Sequence, residues 1–219
     1  MNWIKIKAYL VVAIGVFVWS SGLPLIDHLL GKWDFMSLAT ARSIIGGVFL
    51  FTISSIISRK LPDKELLKKA SLIGLTTYGF SAVSTVIGIS YSDPFTASIL
   101  VTLIPVVSAV MDLFTSKRMI SWKLMLALLF SIFGGMLASL ELEQLKFVFG
   151  LGELFVFTSV FLFVLYSRQT LHYLTFAPQI SVLSISTLSG GLGMLIVTIF
   201  SGFMDNELSY SFVIYCFSY

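Results

Sequence analysis

The sequence predicts an all-α integral membrane protein, a helical bundle that crosses the bilayer several times. Of its 219 residues, 57% are hydrophobic and 11% are charged, against about 25% charged residues in an ordinary soluble domain. Apolar runs of about 20 residues recur from end to end, and each is long enough to cross a hydrocarbon layer of about 30 Å as a helix. These continuous runs lack the alternating polarity of membrane β-strands, so helices are predicted throughout.

Seven complete spans are predicted, and an eighth begins near Ser211. The seven cover residues 8–25, 35–57, 70–90, 94–114, 122–140, 148–166 and 178–203. Lys5 and Lys7 precede the first apolar stretch, which has no small-residue cleavage site, so we expect a retained first helix rather than a signal peptide. The longest loop, residues 58–69, is too short for a soluble catalytic domain, and we expect a helical or extended connector there.

The basic residues indicate how the spans are oriented. With the N-terminus inside, most lysines and arginines fall in cytoplasmic loops, whereas Lys32 and Lys146 face outward and Arg42 lies within a span. Positively charged loops stay in the cytoplasm, so we expect a cytoplasmic N-terminus and a location in the cell membrane, inner or plasma. Orientation accounts for these charges, and nucleic acid is therefore not an expected partner.

Signatures of cofactors and enzymes are absent from the sequence. The single cysteine, Cys216, and the two histidines, His28 and His172, exclude a disulfide framework and argue against a metal site. The sequence has no His-Glu-X-X-His, no Gly-X-Ser-X-Gly and no phosphate-binding glycine-rich loop with its lysine. We therefore expect neither a cofactor nor an enzymatic activity, and the lipid bilayer is the first expected partner.

An internal repeat is predicted at an offset of about 144 residues. This shift lays the first predicted span on the sixth and the second on the seventh. Residues 38–46 (LATARSIIG) then meet residues 182–190 (VLSISTLSG), which keep the glycine and carry Ser186 in place of Arg42. A unit of five spans reverses its direction when it is repeated, which gives the inverted-repeat architecture typical of secondary transporters.

An ordered set of motifs extends over residues 8–140. These are Val-Trp-Ser-Ser at 18–21, Ala-Arg at 41–42, SYSDPFTASIL at 90–100, Ile-Pro-Val at 104–106, Ser-Trp-Lys at 121–123 and FGGML at 133–137. In this order they resemble the EamA-type transporters of the drug/metabolite transporter superfamily, which have ten helices in two five-helix repeats. The resemblance implies a secondary transporter, an exporter or permease, that moves a small metabolite or drug-like solute by alternating access as a monomer or homodimer.

Two features depart from that family. The family often has a glutamate and a basic residue after the fourth span, where this chain has Ser-Lys-Arg at 116–118, so no role of that acid is carried over. A second repeat at the same offset ends at about residue 284. The predicted domains are therefore a complete repeat, 1–142, and an incomplete inverted repeat, 143–219. A non-transporting truncated remnant or a helix-packing membrane partner is the alternative.

Arg42 is the sharpest functional signal in the sequence. It lies about seven residues into the second span, where a guanidinium costs about 2.5–3.5 kcal/mol at the helix centre. It either binds an anionic group of the substrate or locks a gate, or else it snorkels to the interface or pairs with a carboxylate. Glu153 is the carboxylate proposed for an ion pair across the repeat interface. Alternatively, Glu153 loads a proton for coupling, or it stabilises a helix N-terminus by about 0.3–1 kcal/mol.

The fourth span has one small or polar face. Its residues recur at spacings of three and four, namely Ser98, Thr102, Pro105, Ala109 and Asp112. This face either lines a pathway or kinks the helix, since Pro105 removes a backbone hydrogen bond. Asp112 either forms an interfacial salt bridge or serves as a gating or coupling charge.

Small residues form a similar stripe on the third span, with Tyr78 beside it. The stripe consists of Gly74, Thr77, Ser81, Ser84 and Gly88, and it is either a packing surface or part of a pathway. Trp19, in the middle of the first span, either stacks on a substrate or fills the core. The candidate pathway residues are Trp19, Arg42, Tyr78, Ser81, Ser98, Thr102, Pro105 and Glu153, and the candidate gate or coupling charges are Arg42, Asp112 and Glu153.

Overall fold

A computed structural model describes residues 3–58, 62–92, 94–116 and 150–204, together with positions 122, 125, 126, 129, 130 and 133. The helices of this part are α1 Trp3–Ser20, α2 Gly22–Leu30, α3 Phe35–Ser58, α4 Lys64–Ile73, α5 Gly79–Tyr91, α6 Pro94–Val101, α7 Ile104–Ser116, α8 Leu151–Tyr173 and α9 Gln179–Met204. A π-helical turn, Gly74–Tyr78, joins α4 to α5. The predicted eighth span lies outside the described residues, as does most of the predicted fifth.

Six helical segments of the described residues are long and apolar enough to cross a membrane. We number them as in the sequence prediction: span 1 Tyr9–Leu30, span 2 Phe35–Ser58, span 3 Lys64–Tyr91, span 4 Thr96–Phe114, span 6 Leu151–Tyr173 and span 7 Gln179–Phe200. The protein is therefore an all-α, multi-pass membrane protein, and this part of the sequence prediction is confirmed.

Span 3 begins six residues earlier than predicted, because the charged connector is helical from Lys64 onward. Asp63 caps the helix, and its carboxylate accepts a hydrogen bond of 2.8 Å from the Lys64 amide. Leu66 and Ala70 are buried on one face of α4. An amphipathic start of this kind is missed when a span is recognised by hydropathy alone.

Two spans are interrupted where the sequence weakens the helix. In span 1, α1 ends at Ser20, and the hydroxyls of Ser20 and Ser21 donate to carbonyls three residues earlier. In span 4, the helix breaks between Val101 and Ile104, because Pro105 has no amide hydrogen for the carbonyl four residues before it. Both breaks follow from local chemistry, and a kink at Pro105 was one of the two alternatives predicted for span 4.

Spans 2 and 7 pack against each other in opposite directions. The Ser54 and Ser181 hydroxyl oxygens are 2.7 Å apart, and those of Thr40 and Thr198 are 3.3 Å apart. The contacts thus occur in opposite order along the two helices, which makes the pair antiparallel. A Cβ at Gly47 would lie 2.8 Å from the Leu188 amide nitrogen, so this glycine permits close helix approach.

Span 3 lies between spans 6 and 7. It runs parallel to span 7, because Ala70 accepts a hydrogen bond from Ser186 at 3.2 Å while Gly79 lies against Gly190. It runs antiparallel to span 6, where the Ser81 hydroxyl donates to the Ser159 carbonyl at 2.9 Å. These directions give the bundle two ends. The Asp34 end carries Leu30, Phe35, Tyr91 and Gly150, and the Lys64 end carries Ser58, Phe114, Tyr173 and Gln179.

The buried hydroxyl pair between spans 2 and 7 gives a testable prediction. We expect Ser54→Ala to lower the free energy of unfolding by about 0.6–1.7 kcal/mol, the scale of hydrogen bonds between membrane helices. The double change with Ser181→Ala should cost less than the sum of the single changes, since it leaves no hydroxyl unpaired. Unfolding by a denaturing detergent in micelles measures both values.

The matched control is Ser55→Ala. Ser55 is exposed and its hydroxyl donates within its own helix, to the Phe51 carbonyl at 2.8 Å, so this change should be nearly neutral. Equal losses from Ser54→Ala and Ser55→Ala would contradict the assignment of Ser54 to the contact between spans.

Candidate functional site

The π-helical turn lies at the middle of span 3, with Lys64 and Tyr91 at the two ends of that span. Two threonine hydroxyls back-bond to carbonyls at this position, from Thr76 to Leu72 and from Thr77 to Ile73, each at 2.7 Å. Such bonds compete with the regular helical ladder. Single π turns inside helices occur frequently at functional sites. Here the turn ends at Tyr78, which it presents towards the centre of the bundle.

Tyr78 contacts a second tyrosine on span 6. The ring centroids of Tyr78 and Tyr166 are 5.6 Å apart in an edge-to-face arrangement with an interplanar angle of 60°, a favoured geometry for aromatic pairs. Tyr166 is buried and lies beside the Ser186 side chain of span 7. The pair therefore sits where spans 3, 6 and 7 meet.

Arg42 lies on span 2, about 10 Å along the helix axis from Phe35. Its neighbours Thr40 and Ser43 are buried at 0% and 1% exposure, whereas the Arg42 side chain is exposed. Span 7 places Tyr78 beside this part of span 2, because a Cβ at Gly190 would lie 2.8 Å from Tyr78 Cδ1 and a Cβ at Gly191 would lie 3.2 Å from the Ser43 carbonyl carbon. We call Arg42, Tyr78 and Tyr166, which lie on spans 2, 3 and 6, the central cluster.

A cleft opens beside the central cluster towards the Lys64 end. It has a volume of about 550 Å³ and lies between spans 2, 6 and 7. Its walls include Leu50, Tyr166, Ser167, Thr170, Gln179 and Leu183. Since Tyr166 belongs to both the wall of the cleft and the central cluster, a solute in the cleft would meet the central cluster directly.

Towards the Asp34 end the bundle is closed by apolar packing. One core cluster joins side chains of six spans, namely Ile26, Leu38, Ala39, Ala82, Val86, Ile89, Ala97, Val156 and Met194. Leu38 and Ala39 precede Arg42 by about one helical turn, and both are buried, at 5% and 0% exposure. The central cluster is therefore separated from the Asp34 end by a dry layer.

The sequence model of the EamA-like transporter family matches residues 6–140. The chain belongs to this family. The match covers more than half of the chain, and the resemblance drawn from its motifs is confirmed. The family is one of membrane transporters of the drug/metabolite type rather than of enzymes. Searches against curated proteins and against solved structures found no significant match.

The ion pair hypothesised between Arg42 and Glu153 is not formed in this EamA-like transporter. Glu153 accepts hydrogen bonds from the Ser92 hydroxyl at 2.6 Å and from the Gly150 amide at 2.8 Å. Among the described residues the ion pairs are Lys69–Glu65 and Arg168–Asp112. Glu153 lies at the N-terminus of α8, where the helix dipole stabilises a negative charge. Both of its carboxylate oxygens accept hydrogen bonds, from Ser92 and Gly150.

Asp112 pairs with a residue that the sequence analysis placed in a loop. The Arg168 Nη2 atom lies 2.8 Å from Asp112 Oδ1 and donates to the Ser108 carbonyl at 2.7 Å. Arg168 lies inside span 6, which extends to Tyr173 instead of ending near residue 166 as predicted. The contact joins spans 4 and 6 at the Lys64 end, where the Arg168 Nε is buried without a hydrogen-bond partner among the described residues.

The remaining candidates lie away from the central cluster. Ser81 is buried at 6% exposure and donates to span 6, a contact that favours packing over a place in the pathway. Trp19 is 54% exposed on α1. Thr102 and Pro105 are exposed at the break in span 4, and Ser98 is half-buried on α6. A pathway role for these four residues stays a prediction.

Sequence reasoning missed Tyr166 and the polar residues of the cleft. Tyr166 is followed by Ser-Arg-Gln-Thr at 167–170, a polar run that was interpreted as the exit of span 6 from the membrane. The signal that could have identified the site was a tyrosine next to a polar run within a helix that continues past both. Among the described residues, no group of three or more His, Cys, Asp or Glu could hold a metal ion.

Proposed function

We propose that this EamA family member is a secondary transporter that moves a small solute across the cell membrane by alternating access, with its N-terminus in the cytoplasm. The observation that carries the proposal is the antiparallel packing of spans 2 and 7, which the offset of about 144 residues makes equivalent. Secondary transporters bind their substrates near the bilayer midplane at the interface of inverted repeats. The central cluster lies beside that interface.

The closed and open ends support the same proposal. The apolar layer around Leu38 and Ala39 closes the Asp34 end, whereas the cleft beside Tyr166 opens at the Lys64 end. In the proposed orientation the Lys64 end is cytoplasmic, because it carries most of the basic loops. An inward-open state is the interpretation that this proposal gives to the cleft, and export would begin with solute entry from the cytoplasm.

Single-cysteine reporters test this proposal. In a Cys216→Ser background, we expect Ser167→Cys, in the cleft, to react with a charged thiol reagent supplied from the cytoplasmic side of inside-out vesicles. Ala39→Cys, in the apolar layer at 0% exposure, should stay protected. A screen of cells for altered resistance or uptake then identifies the solute. That solute should protect Ser167→Cys in vesicles and be moved by the purified protein in liposomes.

Two results would contradict the proposal. Labelling of Ser167→Cys from the extracellular side alone would reverse the orientation. A screen in which no amino acid, nucleotide-like metabolite or drug is moved, by a chain that is stably inserted, would favour a membrane protein without transport activity.

A further inference from the structure

We infer that Arg42, together with Tyr78 and Tyr166, binds an anionic group of the transported solute, a carboxylate or a phosphate. The inference rests on the proposed function and names the chemical class of solute for it.

The guanidinium of Arg42 has no carboxylate partner among the described residues. Intramembrane charges are expensive and are normally paired. The two carboxylates inside spans 4 and 6 are already engaged, since Asp112 pairs with Arg168 at 2.8 Å and Glu153 is held by Ser92 and Gly150. Asp34, at the start of α3, accepts from the Met36 and Ser37 amides. Arg42 therefore retains its capacity to bind an anion.

The surroundings of Arg42 suit a planar or tetrahedral oxyanion. A guanidinium offers parallel donors that match carboxylate and phosphate oxygens. Tyr78 lies against Gly190 of span 7, next to the approach of Gly191 to Ser43, and adds a phenolic hydroxyl. Tyr166, in edge contact with Tyr78, adds a second one beside the Ser186 side chain. An anion between these groups would meet one full positive charge and neutral donors.

The central cluster also forms a route of graded depth. Tyr166 lies about 10 Å from the end of its span at Tyr173, and Arg42 lies about 24 Å from Ser58 at the same end of the bundle. Tyr78, midway along span 3, lies between them. Of these three residues, only Tyr166 lines the cleft. In the proposed route a solute therefore passes Tyr166 and then Tyr78 before it reaches Arg42, below the apolar layer around Leu38.

The residue equivalent to Arg42 in the predicted second repeat carries no charge, which agrees with a single anion site. Its repeat equivalent is Ser186, which is neutral and buried at 0% exposure and donates to the Ala70 carbonyl. Only one half of the described interface therefore carries a cation at this level. One charge is matched by one anionic group on the solute.

Binding to the full chain in phosphatidylcholine nanodiscs tests the inference. The probes are benzoate, glutamate and phenyl phosphate, with benzamide and benzylamine as neutral and cationic counterparts, and thermal stabilisation gives the dissociation constants. We expect at least one anion to bind, Arg42→Gln to weaken it by at least about tenfold, and Tyr78→Phe to weaken it by a smaller factor. Arg42→Lys should retain part of the affinity, since a point charge replaces the bidentate fork.

Lys32→Gln is the matched control, because it removes one positive charge from an exposed position at the Asp34 end. Anion affinity that is unchanged in Arg42→Gln, or lost equally in Lys32→Gln, would overturn the inference. So would binding of benzamide or benzylamine with no anion bound. If only phosphatidylglycerol nanodiscs show an effect of Arg42→Gln, the anion is a lipid headgroup rather than a solute.

Transport in liposomes separates this inference from the proposed function. An anion that binds through Arg42 and is not moved would contradict transport while the anion site stands. A neutral solute that is moved equally by the unmodified protein and by Arg42→Gln would contradict the anion site while transport stands.

Discussion

Replacing Gly74 by alanine should lower the free energy of unfolding by about 3 kcal/mol, the upper part of the range for overpacked cores. A Cβ at this position would overlap the Ser186 carbonyl oxygen and lie 2.7 Å from the Ser186 Cα. Both are backbone atoms of span 7 and cannot rotate away. The better helix propensity of alanine, worth about 1 kcal/mol, does not offset that clash. Unfolding by a denaturing detergent measures the change.

Gly79→Ala is the matched control, five residues further along the same span. A Cβ there would meet its nearest neighbours at 3.4 Å or more, which is ordinary van der Waals contact. This change should therefore leave stability unchanged or raise it by up to about 1 kcal/mol, the gain in helix propensity from glycine to alanine. Similar stability for Gly74→Ala and Gly79→Ala would show that spans 3 and 7 do not approach as closely as described.

The contact between spans 4 and 6 gives the second large effect. We expect Asp112→Asn to destabilise the protein by about 1–3 kcal/mol, because Arg168 then keeps the Ser108 carbonyl but loses its anion. A charge exchange, Asp112→Arg with Arg168→Asp, should recover part of the loss, as for residues coupled by about 0.5–3 kcal/mol. Thermal unfolding in detergent, in a double-mutant cycle, measures that coupling.

The chain offers its own control for this cycle. Lys69 and Glu65 form an exposed pair within α4 at 2.6 Å, with 43% and 60% of their side chains exposed. A pair of that kind contributes about 0.3–0.5 kcal/mol, so Glu65→Gln should have little effect. Equal coupling in the two pairs would mean that the link between spans 4 and 6 is no more than a surface contact.

The sequence predicted the spans because their signal is local. Helical length and apolar content are properties of consecutive residues, and the bilayer demands both. The interruptions at Ser21 and before Pro105 have the same character, since hydroxyl back-bonding and a missing amide act within one helical turn. Span 3 was predicted to begin six residues too late, although a helical connector was one of the expected alternatives, and span 6 was predicted to end seven residues too early. Hydropathy falls at both places while the helices continue.

The candidate site was predicted in part. Arg42 and Tyr78 were singled out because one is a charge inside a span and the other is a tyrosine beside a small-residue stripe, and their role in a pathway stays a prediction. The proposed partner of Arg42 was wrong because Glu153 finds a hydroxyl and an amide nearby. Which donor satisfies a carboxylate depends on atoms from several helices, and sequence spacing does not contain that information.

By itself, the sequence determined that this protein is a helical membrane protein of the EamA-like family. The length and hydropathy of the apolar runs and the order of the motifs are properties of the linear sequence. Tertiary structure alone decided that span 7 lies antiparallel on span 2, that Asp112 pairs with Arg168, and that Tyr166 lies between the cleft and Tyr78. These contacts join residues that are far apart in sequence. Close packing at glycines and hydrogen bonds between hydroxyls determine which helices meet. These contacts depend on distances of a few ångströms between helices, which a local sequence pattern does not contain.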